Sequence, residues 1–194
     1  MLGRMTFSEG TDDGASRPQL LVSTARSLAD ETGSAAFTVV QLTTRAGISL
    51  KAFYGCFAGK DDLLLALLSE DSRIGAEALA EQIGSRRGTE AVSAFVFELF
   101  DMLTLPGAIG YAGVLVREYR RLTEFHDDEL RDALAPLVDL LAHNIDSDDP
   151  KRDARTMFAV LLDGIHDVVV GRVADAHELA RYLERFCTQG IGRR

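Results

Sequence analysis

Apolar residues recur along this chain at intervals of three, four and seven, the spacing of one face of a helix, and nowhere alternate as a strand would require. The pattern predicts an all-α protein of about nine helices. Pro18 suits the start of the first, whose stripe is Leu21, Ala25, Leu28 and Ala29, and Gly33 ends it. Two short helices follow. A long fourth opens at Lys60-Asp61-Asp62, with acids in its first turn as the helix dipole favours, and runs to about Gly84. Five more are expected over residues 89–103, 108–125, 127–145, 150–173 and 175–190. Pro106-Gly107 breaks the first of these, Pro136 kinks the third, and Asp149-Pro150 caps the fourth.

The two short helices carry the most local information. Thr38 and Gln41 form a capping box, and Val39, Leu42 and Ala46 then share a face. Gly47 supplies the left-handed residue that ends this helix. Ile48 is an apolar plug, and Ser49 caps a second helix through Leu50, Lys51, Ala52, Phe53 and Tyr54. Helices this short, joined by so tight a turn, predict a helix-turn-helix whose second member enters a DNA major groove. Phe37, Phe53 and Phe57 supply the bulk of its core.

These residues resemble the TetR family of bacterial repressors. The likeness runs through Thr38-Val39, Leu42, Arg45-Ala46-Gly47-Ile48-Ser49, Phe53-Tyr54, Phe57 and Lys60-Asp61-Asp62-Leu63. Upstream, Leu21, Thr24-Ala25, Leu28-Ala29 and Gly33 resemble that family's first helix. The match covers roughly residues 17–68. It divides the chain into an arm over 1–16, a DNA-binding domain over 17–62, and a ligand-binding and dimerisation domain over 63–194.

On the DNA side, the exposed face of the second short helix offers Ser49, Leu50, Lys51, Ala52, Tyr54 and Gly55. Lys51 has the reach to donate to guanine or to a phosphate, and Leu50 or Ala52 to touch a thymine methyl. Thr38, Tyr54 and Lys60 match family positions that contact phosphate, and Arg45 is a further candidate. Three residues depart from the family pattern: Thr43 for an alanine, Gly55 for a larger residue, and Cys56 for a histidine that reaches phosphate. These departures remove contacts and leave the fold intact.

Charge refines this picture. The net charge is −9, but six of the 21 Lys and Arg and five of the 30 Asp and Glu fall within residues 1–60. That leaves fifteen against twenty-five beyond, so the acidic excess lies in the larger domain, away from the phosphates. The N-terminal stretch lacks a signal peptide's apolar core, and no apolar run approaches the ~20 residues of a membrane span, so a cytoplasmic protein is expected. Cys56 and Cys187 have no metal-ligand spacing.

In the helix over 150–173, Phe158, Leu162, Ile165 and Val169 point one way, and Val160, Gly164, Asp167 and Gly171 another. Two glycines seven apart imply close approach of another helix. With Leu179, Tyr182, Leu183 and Phe186 of the last helix, this face suits a four-helix bundle with a second copy, the homodimer that the resemblance also implies. The alternative is packing within the chain. A two-fold dimer would set two recognition helices about one DNA turn apart and demand a palindromic operator.

The resemblance further implies a small-molecule pocket in the second domain. Its candidate lining is Phe97, Phe100, Tyr111, Val114, Arg117, Glu118, Arg121, Phe158 and Leu162, a set suited to a mostly apolar or aromatic effector. Asp163, His166 and Asp167 share one helical side, but a single helix does not complete a metal site. No metal, cofactor or enzymatic activity is expected, since no nucleophile motif or phosphate loop occurs. The reading is a DNA-binding transcriptional repressor released by its ligand. The alternative is a helical ligand- or partner-binding protein that has lost sequence-specific DNA recognition.

Overall fold

The capping signals fix where the first helices begin and end. In the computed structural model, which describes residues 16–104 and 107–190, α1 (Arg17–Thr32) starts at a capping box between Ser16 and Gln19 and stops at Gly33. The arm predicted over 1–16 lies outside the described residues except for Ser16. Helix α2 (Val39–Ala46) has the expected box: Thr38 Oγ1 accepts from the Gln41 amide at 3.1 Å, and the Thr38 amide donates to Gln41 Oε1 at 2.8 Å. Gly47 ends it at φ 68°, a left-handed conformation that a side chain would strain. Ser49 caps α3 (Leu50–Tyr54) by accepting from the Ala52 amide.

The remaining helices are α4 (Lys60–Ile83), α5 (Gly88–Thr104), α6 (Ile109–Thr123), α7 (Asp127–Ala133), α8 (Ala135–Asn144), α9 (Pro150–Val169) and α10 (Ala176–Gly190). Every regular element among the described residues is thus an α-helix, ten in number against the nine expected. The extra one comes from Pro136. A proline inside a helix lacks the N–H and clashes with the carbonyl four residues back, so the chain breaks at Leu134 instead of kinking. Pro136 then sits in the first turn of α8, where no N–H is required. Pro106, the expected break after α5, lies outside the described residues.

The helix begun at Pro150 also ends four residues early. Val169 is its last member, and Gly171 at φ 75° turns the chain toward α10. Gly171 is therefore a turn residue, not a mid-helix glycine on a packing face.

Two apolar clusters hold the molecule together. One is built on Leu21, Ala25, Leu42, Phe53 and Leu63, and it continues into Val114, Leu122 and Leu130 of α6 and α7. The other joins α5, α8, α9, α10 and the end of α4. Helix α4 belongs to both, with Leu63, Leu64, Leu67 and Leu68 in the first and Leu79 and Ile83 in the second. It is the mechanical link between the two domains.

Candidate nucleic-acid interface and effector cavity

The short α3 divides its residues cleanly. Phe53 is fully buried, while Leu50, Lys51, Tyr54 and Gly55 are exposed beside half-buried Ala52. Ser49 and Thr38 are exposed at the two caps, and Val40 projects from the neighbouring turn of α2. Thr43, where the helices cross, is buried with its hydroxyl donating to the Val39 carbonyl at 2.9 Å, so the extra oxygen is satisfied within its own helix. Cys56 is half-buried, and Cys187 is buried, its thiol pushed up to about 11 by that burial and by nearby Glu184.

Two of the expected phosphate-binding cations are engaged inside the chain. Arg45 forks onto the Glu31 carboxylate, with one contact at 2.8 Å. Lys60 donates its ammonium to the Ala35 carbonyl and lies 4.8 Å from the centre of the Phe37 ring. Desolvation there holds its pKa below the usual lysine value. Lys51 is the cation that the recognition helix itself presents.

Behind the head, α4, α5, α6, α8 and α9 line a partly open cavity of about 90 Å³. Its wall is apolar, with Leu99, Met102, Leu115 and Leu137 among its members, and Phe158 and Leu162 contribute as the sequence suggests. The rest of the suggested lining lies elsewhere. Phe100 packs against Gly164, and Phe97 is partly exposed. Val114 joins the head cluster, and Arg117 donates to the Gly33 carbonyl at 2.9 Å. Arg121 bridges Glu118, at 2.8 Å, and Asp61, at 2.6 Å. That pairing with Arg121 holds the Asp61 carboxyl below its usual range.

The displacement has a simple helical origin. On α6, residues 114, 117, 118 and 121 form one stripe that faces the head. Ala112, Leu115, Val116 and Tyr119, at the same spacing but offset by two residues, form the stripe on the nearly opposite side, which faces the cavity. The suggested α6 residues thus lie on the side of the helix away from this cavity.

On α4, Leu68, Asp71, Ser72 and Gly75 line the cavity. Their i, i+3, i+4, i+7 spacing continues the leucine stripe, but their polarity reads as a solvated bridge and conceals it. Asp71 joins three helices. One carboxylate oxygen accepts from Arg26 Nε of α1 at 2.9 Å, and the other accepts from the Tyr111 hydroxyl of α6. Burial and the Asp71 charge raise the Tyr111 pKa, which keeps the phenol protonated and donating. Asp71→Ala is expected to cost about 2 kcal/mol, since a charge-assisted pair and a hydrogen bond go together. Tyr111→Phe should cost about 1 kcal/mol. Urea denaturation checks both, and equal losses would mean that Arg26 contributes nothing.

This constellation has known counterparts. The sequence matches bacterial regulatory proteins of the tetR family over residues 21–67. That match spans the helix-turn-helix segment from α1 into α4. No curated protein matches the chain by sequence. Among solved structures, the transcriptional regulator FadR from Bacillus subtilis in complex with stearoyl-CoA aligns with a TM-score of 0.68 at 18% identity, covering 89% of this chain and 98% of that one. Escherichia coli NemR in its reduced form aligns at 0.65 and 16%, covering 91% and 97%. The multidrug binding protein EbrR complexed with imidazole aligns at 0.64 and 18%, covering 93% and 97%. At these identities the likeness is one of fold, and it extends the TetR-type architecture through α10.

In this TetR-type frame the expected dimer face is part surface and part core. Tyr182 and Phe186 are 58% and 55% exposed, Val160 and Leu179 are half-buried, and Asp167 pairs with Arg172 at 3.0 Å. Leu183, by contrast, is buried within its own chain. A Cβ on Gly164 would lie 2.6 Å from Leu183 Cδ1, so the close approach at Gly164 is made by the chain's own α10. Asp163 pairs with Arg120, and no metal-ligating cluster occurs among the described residues. No described helix is long and apolar enough by itself to cross a membrane.

Proposed function

We propose that this protein is a cytoplasmic, homodimeric transcriptional repressor that binds a palindromic operator and is released by a small, mostly apolar ligand. The observation that carries the reading is α4, one continuous helix whose first turns sit in the head core and whose next turns wall the cavity. A molecule wedged against Leu68 and Ser72 pushes on the element that sets the spacing of two heads. Operator and ligand then select different positions of α4, and each weakens the other by the same coupling free energy. The exposed Tyr182 and Phe186 give the second copy an aromatic patch to cover.

Recovery of DNA from a sheared pool of the source genome, at two salt concentrations, tests the reading. Enrichment of a palindromic site, with retention falling as salt rises, is the expected result. Lys51→Ala should weaken retention roughly tenfold, since one groove or phosphate contact is worth about 1–3 kcal/mol. No retention at either salt would favour the second reading, a helical binding protein without sequence-specific DNA recognition. Gly55, Cys56 and the internally engaged Arg45 and Lys60 motivate that reading.

A further inference from the structure

The cavity contains one polar group that the chain does not satisfy. Ser72 is 3% exposed, and its Oγ has no hydrogen-bond partner. Serine in a helix ordinarily returns its proton to the carbonyl one turn back, as Thr24 and Thr43 do here. Buried hydroxyls without a partner are rare enough to require a reason. Water is a poor one, because a trapped water needs two to four polar partners. The neighbouring Asp71 oxygens are already taken by Arg26 and Tyr111, and apart from Tyr119 on α6 the surrounding wall is aliphatic residues, methionine and phenylalanine.

We propose that Ser72 Oγ is the hydrogen-bonding anchor for the effector, and that the effector is an uncharged apolar molecule carrying a single oxygen function such as a ketone, ester or hydroxyl. The inference rests on the cavity being the effector site and adds the chemistry of what it takes. Charge is excluded by the wall itself. No Lys or Arg lines the cavity to receive a carboxylate, and Asp71, next to Ser72 on the same face, repels one. An ammonium is no better placed, because the Asp71 carboxylate is already paired with Arg26. Size points the same way. A cavity of about 150 Å³ admits benzene, whereas this one is about 90 Å³. Occupation therefore presses on α4 at Ser72, one residue from the carboxylate that ties α4 to α1 and α6.

The test is titration of the ligand-free full chain with cyclopentanone, cyclopentane, cyclopentylamine and cyclopentanecarboxylate, followed through the amide resonances of α4. Wild-type protein should bind cyclopentanone most tightly. Ser72→Ala removes an unsatisfied group and so keeps the fold, and it should weaken cyclopentanone about tenfold while leaving cyclopentane unchanged. Gly75→Leu should displace both, because it fills the same cavity from the next turn. Equal cyclopentanone affinity in Ser72→Ala, tighter binding of either charged probe, or no binding of any probe would each overturn the proposal. DNA retention by the same ligand-free preparation is scored separately, so failure of the regulator reading is distinguishable from failure of this one.

Discussion

Replacing Phe53 by alanine should unfold the DNA-binding head and abolish DNA retention. Phe53 is fully buried, meets Tyr54 edge-on with ring centres 5.2 Å apart and lies 5.9 Å from Phe57. Truncating such a ring costs about 3–5 kcal/mol, out of a typical total of about 5–15. The five residues of α3 have too little helical hydrogen bonding to hold themselves without that anchor. A melting temperature lowered by about 10 °C follows for a chain of this size. Tyr54→Ala is the control. Its ring is 60% exposed, so stability should change by less than about 0.5 kcal/mol while DNA binding weakens. A Phe53→Ala protein that melts like wild type would mean that α3 is held by its caps rather than by its ring.

The second large effect is expected at Gly164. A Cβ there meets Leu183 Cδ1 at 2.6 Å, closer than packed atoms approach, and touches Phe100 at 3.4 Å, so Gly164→Val should force Leu183 out of its place between α9 and α10. Overpacking of this kind costs about 1–3 kcal/mol. Leu183→Ala alone should cost about 2–5 kcal/mol through the cavity that it leaves. The double variant should be more stable than the sum of the two losses, because each change provides the space that the other lacks or fills. Denaturant midpoints of the four proteins decide the matter. Simple additivity would show that Leu183 does not set the need for glycine.

These cases mark where the sequence is sufficient and where it is not. Thr38, Gln41, Gly47 and Ser49 act within one turn of the backbone, so their boxes and stops were legible from spacing alone. Which stripe of an all-round apolar helix faces which neighbour is a tertiary matter, and spacing is blind to it. That is why Leu99 and Met102 line the cavity in place of Phe97 and Phe100. It is also why the cavity-facing stripe of α6 is offset by two residues from the expected one. Asp71 and Ser72 carry no sequence signal of burial, because polarity ordinarily means exposure, and only the surrounding helices make them internal. Gly164 did announce a close helix, but nothing local distinguishes the chain's own α10 from a second copy.

The intrachain pairing of Arg45, in an exposed ion pair with Glu31, and of Lys60, on the Ala35 carbonyl, carries a consequence for how DNA would be held. An arginine held by Glu31 and an ammonium bound to the Ala35 carbonyl displace few condensed counterions from the duplex. Each phosphate neutralised contributes about 0.9 to the slope of log affinity against log salt. If the protein binds an operator as proposed, with Lys51 as the cation on the recognition helix, that slope should be shallow and attraction to arbitrary sequence weak. Salt titration of DNA retention checks this. Under the proposed function, groove contacts from Leu50, Ala52 and Tyr54 and neutral backbone donors would then carry more of the discrimination between sites than charge does.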